Sequence, residues 1–199
     1  MKKMFFASAI LLVSFGTWSC NDDSDTNSTS NDSVNNMNTA GDTTNTLGNT
    51  PAVNTTPLNR EDSLFVMDAA IGGLMEVEAG NIAQQNASSQ RVKDFGAMMV
   101  ADHGRANSEL KSLVGTRVML PDSLPAVKRK HIDQMRKMTG KAFDNHYLNM
   151  MVDDHKKDID KFKKQSQSGG DAQLKNWATS TLPTLQKHYD SVQAIKKGK

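Results

Sequence analysis

Four long stretches of this chain place an apolar residue at every third or fourth position, the spacing that puts these residues on one face of an α-helix. One of the four, residues 141–167, contains no Gly or Pro, and its apolar face carries Tyr147, Met151 and Phe162. The pattern predicts long helices over residues 61–87, 90–114, 141–167 and 172–195, and a shorter helix over 122–138.

The links between these helices predict an all-α fold, a ferritin-like four-helix bundle. Short links join the first two long helices and the last two, whereas a long connection with its own short helix joins the two pairs. Helices of about 26 residues are each about 39 Å long. Two hairpins joined by one long crossover are typical of ferritin-like bundles. An extended coiled coil fits poorly, because the periodicity restarts after each tight link.

Polar residues interrupt the apolar faces of all four long helices. His103, His155 and His188 lie on three of these faces, and Glu78 lies on the fourth. Burying such groups is costly unless they are paired or coordinated. One interpretation is therefore a metal site with nitrogen and oxygen ligands, suited to zinc, iron, copper or manganese. Four neighbouring side chains are candidates for further ligands or for hydrogen bonds that orient an imidazole: Asp102, Asn107, Asp154 and Asp158.

Two observations favour a different interpretation, in which the histidines are buried, hydrogen-bonded ties between helices. Di-iron bundles use Glu-x-x-His pairs, but the residues three positions before the histidines are Val100, Val152 and Leu185. Antiparallel pairing about the short links also predicts axial offsets. These offsets separate Glu78 from His103, and His155 from His188, by about 9 Å each, which is too far for two ligands of one ion.

Net charge and the spacing of the basic residues, histidines and methionines limit the kinds of binding partner that the sequence predicts. The formal net charge is only +2, which does not indicate nucleic-acid binding. A basic run at residues 128–130 is expected to be a solvated face, with acidic lipid headgroups or polysaccharide as the alternative partner. His131 and His146 lie off the apolar faces and are expected to be exposed. Methionines at helical spacing suit a core, with copper(I) binding as the alternative: Met98, Met99, Met150 and Met151.

The first sixty residues predict export and membrane attachment. Residues 1–19 combine two lysines with a short apolar run, as a signal peptide does, and the single cysteine, Cys20, follows them. This resembles a bacterial lipoprotein signal in which Cys20 is acylated; ordinary cleavage with a free thiol is the alternative. Residues 20–60 are rich in Asn, Thr, Ser and Asp and predict a disordered tether. We therefore expect an outer-membrane lipoprotein that faces the periplasm or the cell surface.

The domain over residues 61–199 resembles a known family. The segments AAIGGLMEVEAGNIA, VKDFGAMMVADHGRANSEL, FDNHYLNMMVDDHKKDIDKF and LPTLQKHYDSV are similar to the family called domain of unknown function 4142. The resemblance implies a ferritin-like fold and an outer-membrane location, and it implies no activity. We expect a membrane-anchored, non-enzymatic protein with a structural, stress-related or interaction role. The alternative is a metal-binding or redox protein that uses the histidines and Glu78, and no protein partner is predicted.

Overall fold

The computed structural model describes residues 56–198, in which the ordered elements are α-helices. The predicted all-α helical bundle is confirmed. The predicted signal peptide, Cys20 and most of the predicted tether lie outside the described residues. The helices, in chain order, are α1 Arg60–Asn86, α2 Gln90–Val114, α3 Ala126–Arg136, α4 Gly140–Ser168 and α5 Ala172–Lys196.

The four long helices pack in the cyclic order α1, α2, α5, α4. Short links make α1 antiparallel to α2, and α4 antiparallel to α5. A hydrogen bond of 2.7 Å from Gln165, near the end of α4, to Asp62, near the start of α1, makes that pair antiparallel as well. Helices α2 and α4 therefore run in the same direction, so residues 115–139 must cross the length of the bundle. Along this path α3 packs against α1.

Glycines set the closest approach within the bundle, between α1 and α2. A Cβ atom added at Gly80 would lie only 2.6 Å from the backbone oxygen of Gly96. The missing side chains let the two backbones approach, which fixes the rotation of α1 about its axis. As a result the buried face of α1 contains Gly73, Glu76 and Gly80. Leu64 lies outside this buried face and is 52% exposed, although it is a large apolar residue.

Two apolar clusters fill the bundle, one towards each end. One cluster, which we call the Phe143 cluster, includes Phe95, Met99, Phe143, Tyr147 and Met151. The other, the Trp177 cluster, includes Phe65, Leu110, Phe162, Trp177 and Leu185. On α2, α4 and α5 one buried polar side chain lies between the two clusters, and on α1 the buried Glu76 lies among the first residues of the Phe143 cluster. The fold therefore contains a polar layer between two apolar layers.

Candidate metal centre

Each long helix contributes one side chain to the polar layer: Glu76 from α1, His103 from α2, His155 from α4 and His188 from α5. All four are buried, with exposed fractions between 0% and 7%. One nitrogen atom from each of the three histidines lies within 4.8 Å of the others. Three imidazoles from three helices thus converge on one point in the core, and the Glu76 carboxylate contacts the outer nitrogen of His103 beside that point.

Each imidazole has one nitrogen held by an oxygen atom of the surrounding shell. Nδ1 of His103 lies 2.9 Å from Oε2 of Glu76. Nδ1 of His155 lies 3.0 Å from the Met151 carbonyl oxygen, one turn earlier on α4. Nε2 of His188 lies 2.9 Å from Oδ2 of Asp102. These contacts fix the three rings and direct their other nitrogens inward.

The inward nitrogens lack suitable partners among residues 56–198, the part of the chain that the structure describes. Nε2 of His103 is buried and has no hydrogen-bond partner. Nε2 of His155 lies 3.2 Å from Nδ1 of His188. A carbonyl and a carboxylate can only accept, so the outer nitrogens of His155 and His188 carry the protons. The neutral rings therefore direct two lone pairs at each other across 3.2 Å. That arrangement is repulsive unless a proton or a metal ion lies between the nitrogens.

Electrostatics make Glu76 and His103 an ion pair. Burial alone would raise the pKa of Glu76, but the attraction of His103, followed by that of His155, outweighs burial and lowers this pKa to about 2. Burial would likewise lower the pKa of His103, but Glu76 raises it above its ordinary value. Burial lowers the pKa of His188 to about 4 despite its hydrogen bond to Asp102. His155 also has a lowered pKa, again because of burial.

One oxygen of Glu76 remains free to take a further ligand. Oε1 is buried and accepts no hydrogen bond. It lies 3.5 Å from Nδ1 of His155, but the proton on that nitrogen points to Met151. A cation near Oε1 would therefore meet a full negative charge with an unused lone pair.

A cavity connects this carboxylate to the surface between α1 and α4. Its volume is about 150 Å³, and its lining includes Glu76, Asp154, Asp158 and Lys128. Burial and the nearby Glu76 raise the pKa of Asp158 to about 7. Burial also raises the pKa of Asp154. The approach to the centre is therefore lined by carboxyl groups that a cation would help to ionise.

The structure brings His103, His155 and His188 together, although helix rise predicted an axial offset of about 9 Å between His155 and His188. That axial prediction was wrong, because the packing of the helices shifts them relative to the register that simple hairpins would give. Asp102 contacts His188, as an orienting residue would. Asp154 and Asp158 line the cavity. Asn107 packs its amide on the bare backbone of Gly73, outside these contacts.

Glu78 requires a correction. Its carboxylate forms ion pairs with Arg129 at 2.6 Å and with Arg136 at 3.2 Å, which tie α1 to α3. Glu76 occupies the position in the core that the sequence analysis predicted for Glu78. The signal that marks Glu76 is the series of small residues Gly73, Gly80 and Ala83, which share its face at helical spacing. Such a series indicates the side on which helix backbones approach closely, and here that side faces the core.

A known protein family matches most of this chain. The family model described as "Domain of unknown function (DUF4142)" matches residues 47–195, about three quarters of the protein. The protein belongs to the DUF4142 family. Searches of curated proteins and of solved structures found no match. The matched region of this DUF4142 protein contains all four residues of the polar layer. No helix among residues 56–198 is both long enough and apolar enough to cross a membrane.

Proposed function

We propose that this DUF4142 protein is a metal-binding lipoprotein of the bacterial envelope. Its ligands are Nε2 of His103, Nε2 of His155 and Nδ1 of His188, and Glu76 holds the His103 ring through its Nδ1. The opposed lone pairs of His155 and His188, 3.2 Å apart, carry this proposal. A bound cation turns that repulsion into two coordinate bonds.

The spacing of the nitrogens suits a small transition-metal ion. Zinc binds imidazole at 2.0–2.1 Å in a tetrahedron, which places ligand nitrogens about 3.3 Å apart. The His155–His188 separation of 3.2 Å already meets this requirement. The three nitrogens lie within 4.8 Å of one another, so the His103 ring must approach by at most about 1.5 Å. The fourth position is open to Glu76 or to a water molecule from the cavity. Zinc is the first ion to test, with copper and iron as the competing ions for nitrogen and oxygen ligands.

The proposed role is to hold a metal ion rather than to transform a substrate. Sites for small organic molecules usually enclose about 300–1,000 Å³. The cavity that reaches Glu76 encloses about 150 Å³, which suits a hydrated ion. Its charged lining, with Lys128, Lys157 and Lys161 around the acidic groups, is not that of an apolar substrate pocket.

Membrane attachment is the second part of the proposal. It rests on the charged start of the chain, the apolar run that follows and the single Cys20. Several acyl chains on one cysteine would give a stable anchor, since each buried methylene adds about 0.8 kcal/mol. Metabolic labelling with a tagged fatty acid should label the wild type and leave Cys20→Ser unlabelled. Labelling of both proteins, or of neither, would overturn the anchor.

The metal proposal is tested on full-length protein expressed without a histidine tag. Elemental analysis and zinc titration after chelation should give one tightly bound ion per chain. His155→Ala and His188→Ala should each lower the affinity at least a hundredfold, because a coordinate bond is lost. Glu78→Gln is the matched control and should keep wild-type affinity, since its carboxylate pairs with Arg129.

The competing function is a polar tie between helices that needs no metal. In that case wild-type protein would bind no zinc, and its melting temperature would be the same in zinc and in chelator. His155→Ala would then lower the melting temperature equally in both solutions. That combination of results would overturn the proposal.

A further inference from the structure

A second group of metal-binding side chains lies between α3 and α4, apart from the polar layer. It consists of His131 on α3, and His146 and Met150 on α4. All three are partly buried, so the group is neither packed in the core nor fully exposed. No local sequence pattern connects these residues, because His131 lies on α3, the other two lie on α4, and only tertiary packing brings the two helices together.

The geometry brings the three potential ligands close together. Nε2 of His131 lies 3.2 Å from Sδ of Met150. The rings of His131 and His146 have their centroids 5.2 Å apart and are inclined by only 30°. His146 and Met150 are one turn apart on α4, so they project from the same side of that helix. Two imidazoles and one thioether therefore border a single small volume.

The surroundings favour a soft ion with a single charge. Thioether and imidazole ligands select copper(I), because soft sulfur binds soft ions preferentially. Burial, with repulsion from His146 and Lys128, lowers the pKa of His131. This shift disfavours the protonated ring, which could not bind a metal ion through either nitrogen. Lys128 and Lys130 lie beside the group, and their repulsion is half as large for a monovalent ion as for a divalent one.

The group is open to solvent through a surface cavity. A cavity of about 460 Å³ is lined by His131 and Met150, together with Lys128, Asp154 and Val127. Val127 is 82% exposed, so the rim of this cavity is accessible. An ion, or a protein side chain that delivers one, can reach the sulfur atom without opening the bundle.

We propose that His131, His146 and Met150 form a binding site for copper(I), separate from the centre at His103, His155 and His188. Binding at this site requires no ion in the core centre. A negative result for one site therefore does not contradict the proposal for the other. The alternative is a simple hydrogen bond from the Nε2–H of His131 to the sulfur of Met150. The two cases differ in whether the thioether accepts a metal ion.

Silver(I) is the probe, because it resembles copper(I) and undergoes no redox change under assay conditions. The protein is the full-length chain with Cys20→Ser throughout, which removes the only thiol. Methionine methyl groups are labelled with ¹³C, and silver is added in steps to one equivalent. The Met150 methyl signal, identified by its loss in Met150→Leu, should shift and saturate.

The variants test each ligand against a matched control. Met150→Leu and His131→Ala should each weaken silver binding at least tenfold, and His146→Ala should also weaken it. Met119→Leu removes a thioether on the crossover that is 91% exposed, and it should change nothing. Leu replaces Met with little change in volume, and circular dichroism checks that each variant is folded.

Two outcomes would overturn the site. The first is a Met150 methyl signal that does not move while other methionine signals do. The second is an equal loss of affinity in Met150→Leu and Met119→Leu, which would indicate nonspecific thioether binding. The first readout uses the protein with both histidines and Met150 intact, and it requires only that Met150→Leu is folded when its spectrum identifies the signal.

Discussion

Two carboxylates on α1 are buried to a similar extent but differ in the number of hydrogen bonds that they accept. Asp62 and Glu76 on α1 are 1% and 3% exposed. Asp62 accepts four hydrogen bonds, from the Asn59 amide, the Gln165 amide, and the backbone N–H groups of Gly170 and Asp171. Glu76 has one contact of 2.9 Å, to His103, while its other oxygen has no hydrogen bond.

The difference separates a carboxylate whose oxygens accept from neutral donors from one that has a single close partner and one oxygen without a hydrogen bond. The neutral donors of Asp62 join the start of α1 to the link between α4 and α5. Asp144 works in the same way at the other end of the bundle, where it accepts from the Ser88 and Ser89 backbone N–H groups and from the Ser88 hydroxyl. The partners of Glu76 are instead imidazoles that titrate and bind metals. Hydrogen bonds to Asp62 and Asp144 therefore fix the two ends of the bundle, whereas the side chains at its centre can change their protonation state.

The largest effect is expected at Asp62. Asp62→Ala leaves four donors without their acceptor, and each buried unsatisfied group costs about 1–3 kcal/mol before relaxation. We expect the free energy of unfolding to fall by about 3–5 kcal/mol, equally in zinc and in chelator, measured by urea denaturation. Asp68→Ala is the control: its carboxylate is exposed and pairs with Lys161, so the loss should stay below about 1 kcal/mol. A zinc-dependent loss in Asp62→Ala would contradict the contrast.

Glu76→Gln should affect metal binding more than folding. The amide keeps the shape of the side chain but removes the charge that faces His103 and the proposed ion. We expect zinc affinity to fall about a hundredfold, at the upper end for residues that support a ligand. Isothermal titration with zinc measures the change, and Glu78→Gln supplies the comparison. Equal affinities in the two variants would show that Glu76 has no part in the centre.

Asp102→Asn tests the orientation of His188. The carboxylate accepts a proton from Nε2, which leaves Nδ1 free to bind a metal ion. An asparagine amide can donate to Nε2 instead, which moves the ring proton to Nδ1 and blocks the ligand. Zinc affinity should fall about tenfold with little change in melting temperature without metal. ¹⁵N spectra of the His188 ring would report the tautomer, and an unchanged tautomer would contradict this explanation.

A change of pH is expected to have the smallest effect on stability, and the pKa shifts of Glu76 and His103 define the pH range of that effect. The pKa of Glu76 is lowered from 4.5 to about 2, so its share of stability is complete above pH 4.5 and disappears as the pH falls towards 2. The pKa of His103 is raised above 6.5, so its share is complete below 6.5 and disappears as the pH rises through the raised value.

The ion pair should therefore contribute most between pH 4.5 and 6.5. Urea denaturation of wild type and Glu76→Gln without metal should differ most in that window. Zinc affinity should follow the opposite trend and rise with pH, because the proton on Nε2 of His103 must leave before a metal binds. A stability difference that does not vary with pH would show that Glu76 and His103 are not paired in solution.

Local sequence determined much of this protein. Hydrophobic periodicity located the long helices to within one or two residues, because each helix is defined by its own apolar face and its own break. It also placed His103, His155 and His188 on buried faces. The shorter helix was predicted four residues too early, since 122–125 contains Pro125, which begins the helix as its cap. The family resemblance came from the same local segments.

Only the tertiary structure decided which groups meet. Periodicity selected Glu78 rather than Glu76, because the large apolar residues of α1 outweigh the glycines and alanines that share the buried face of Glu76. The contact between Gly80 and Gly96 reverses that choice by fixing the rotation of the helix. Axial register depends likewise on packing between helices, so the 3.2 Å contact of His155 with His188 and the approach of His131 to Met150 were not encoded in any local pattern. Sequence placed each side chain on its helix, and packing placed the helices against one another.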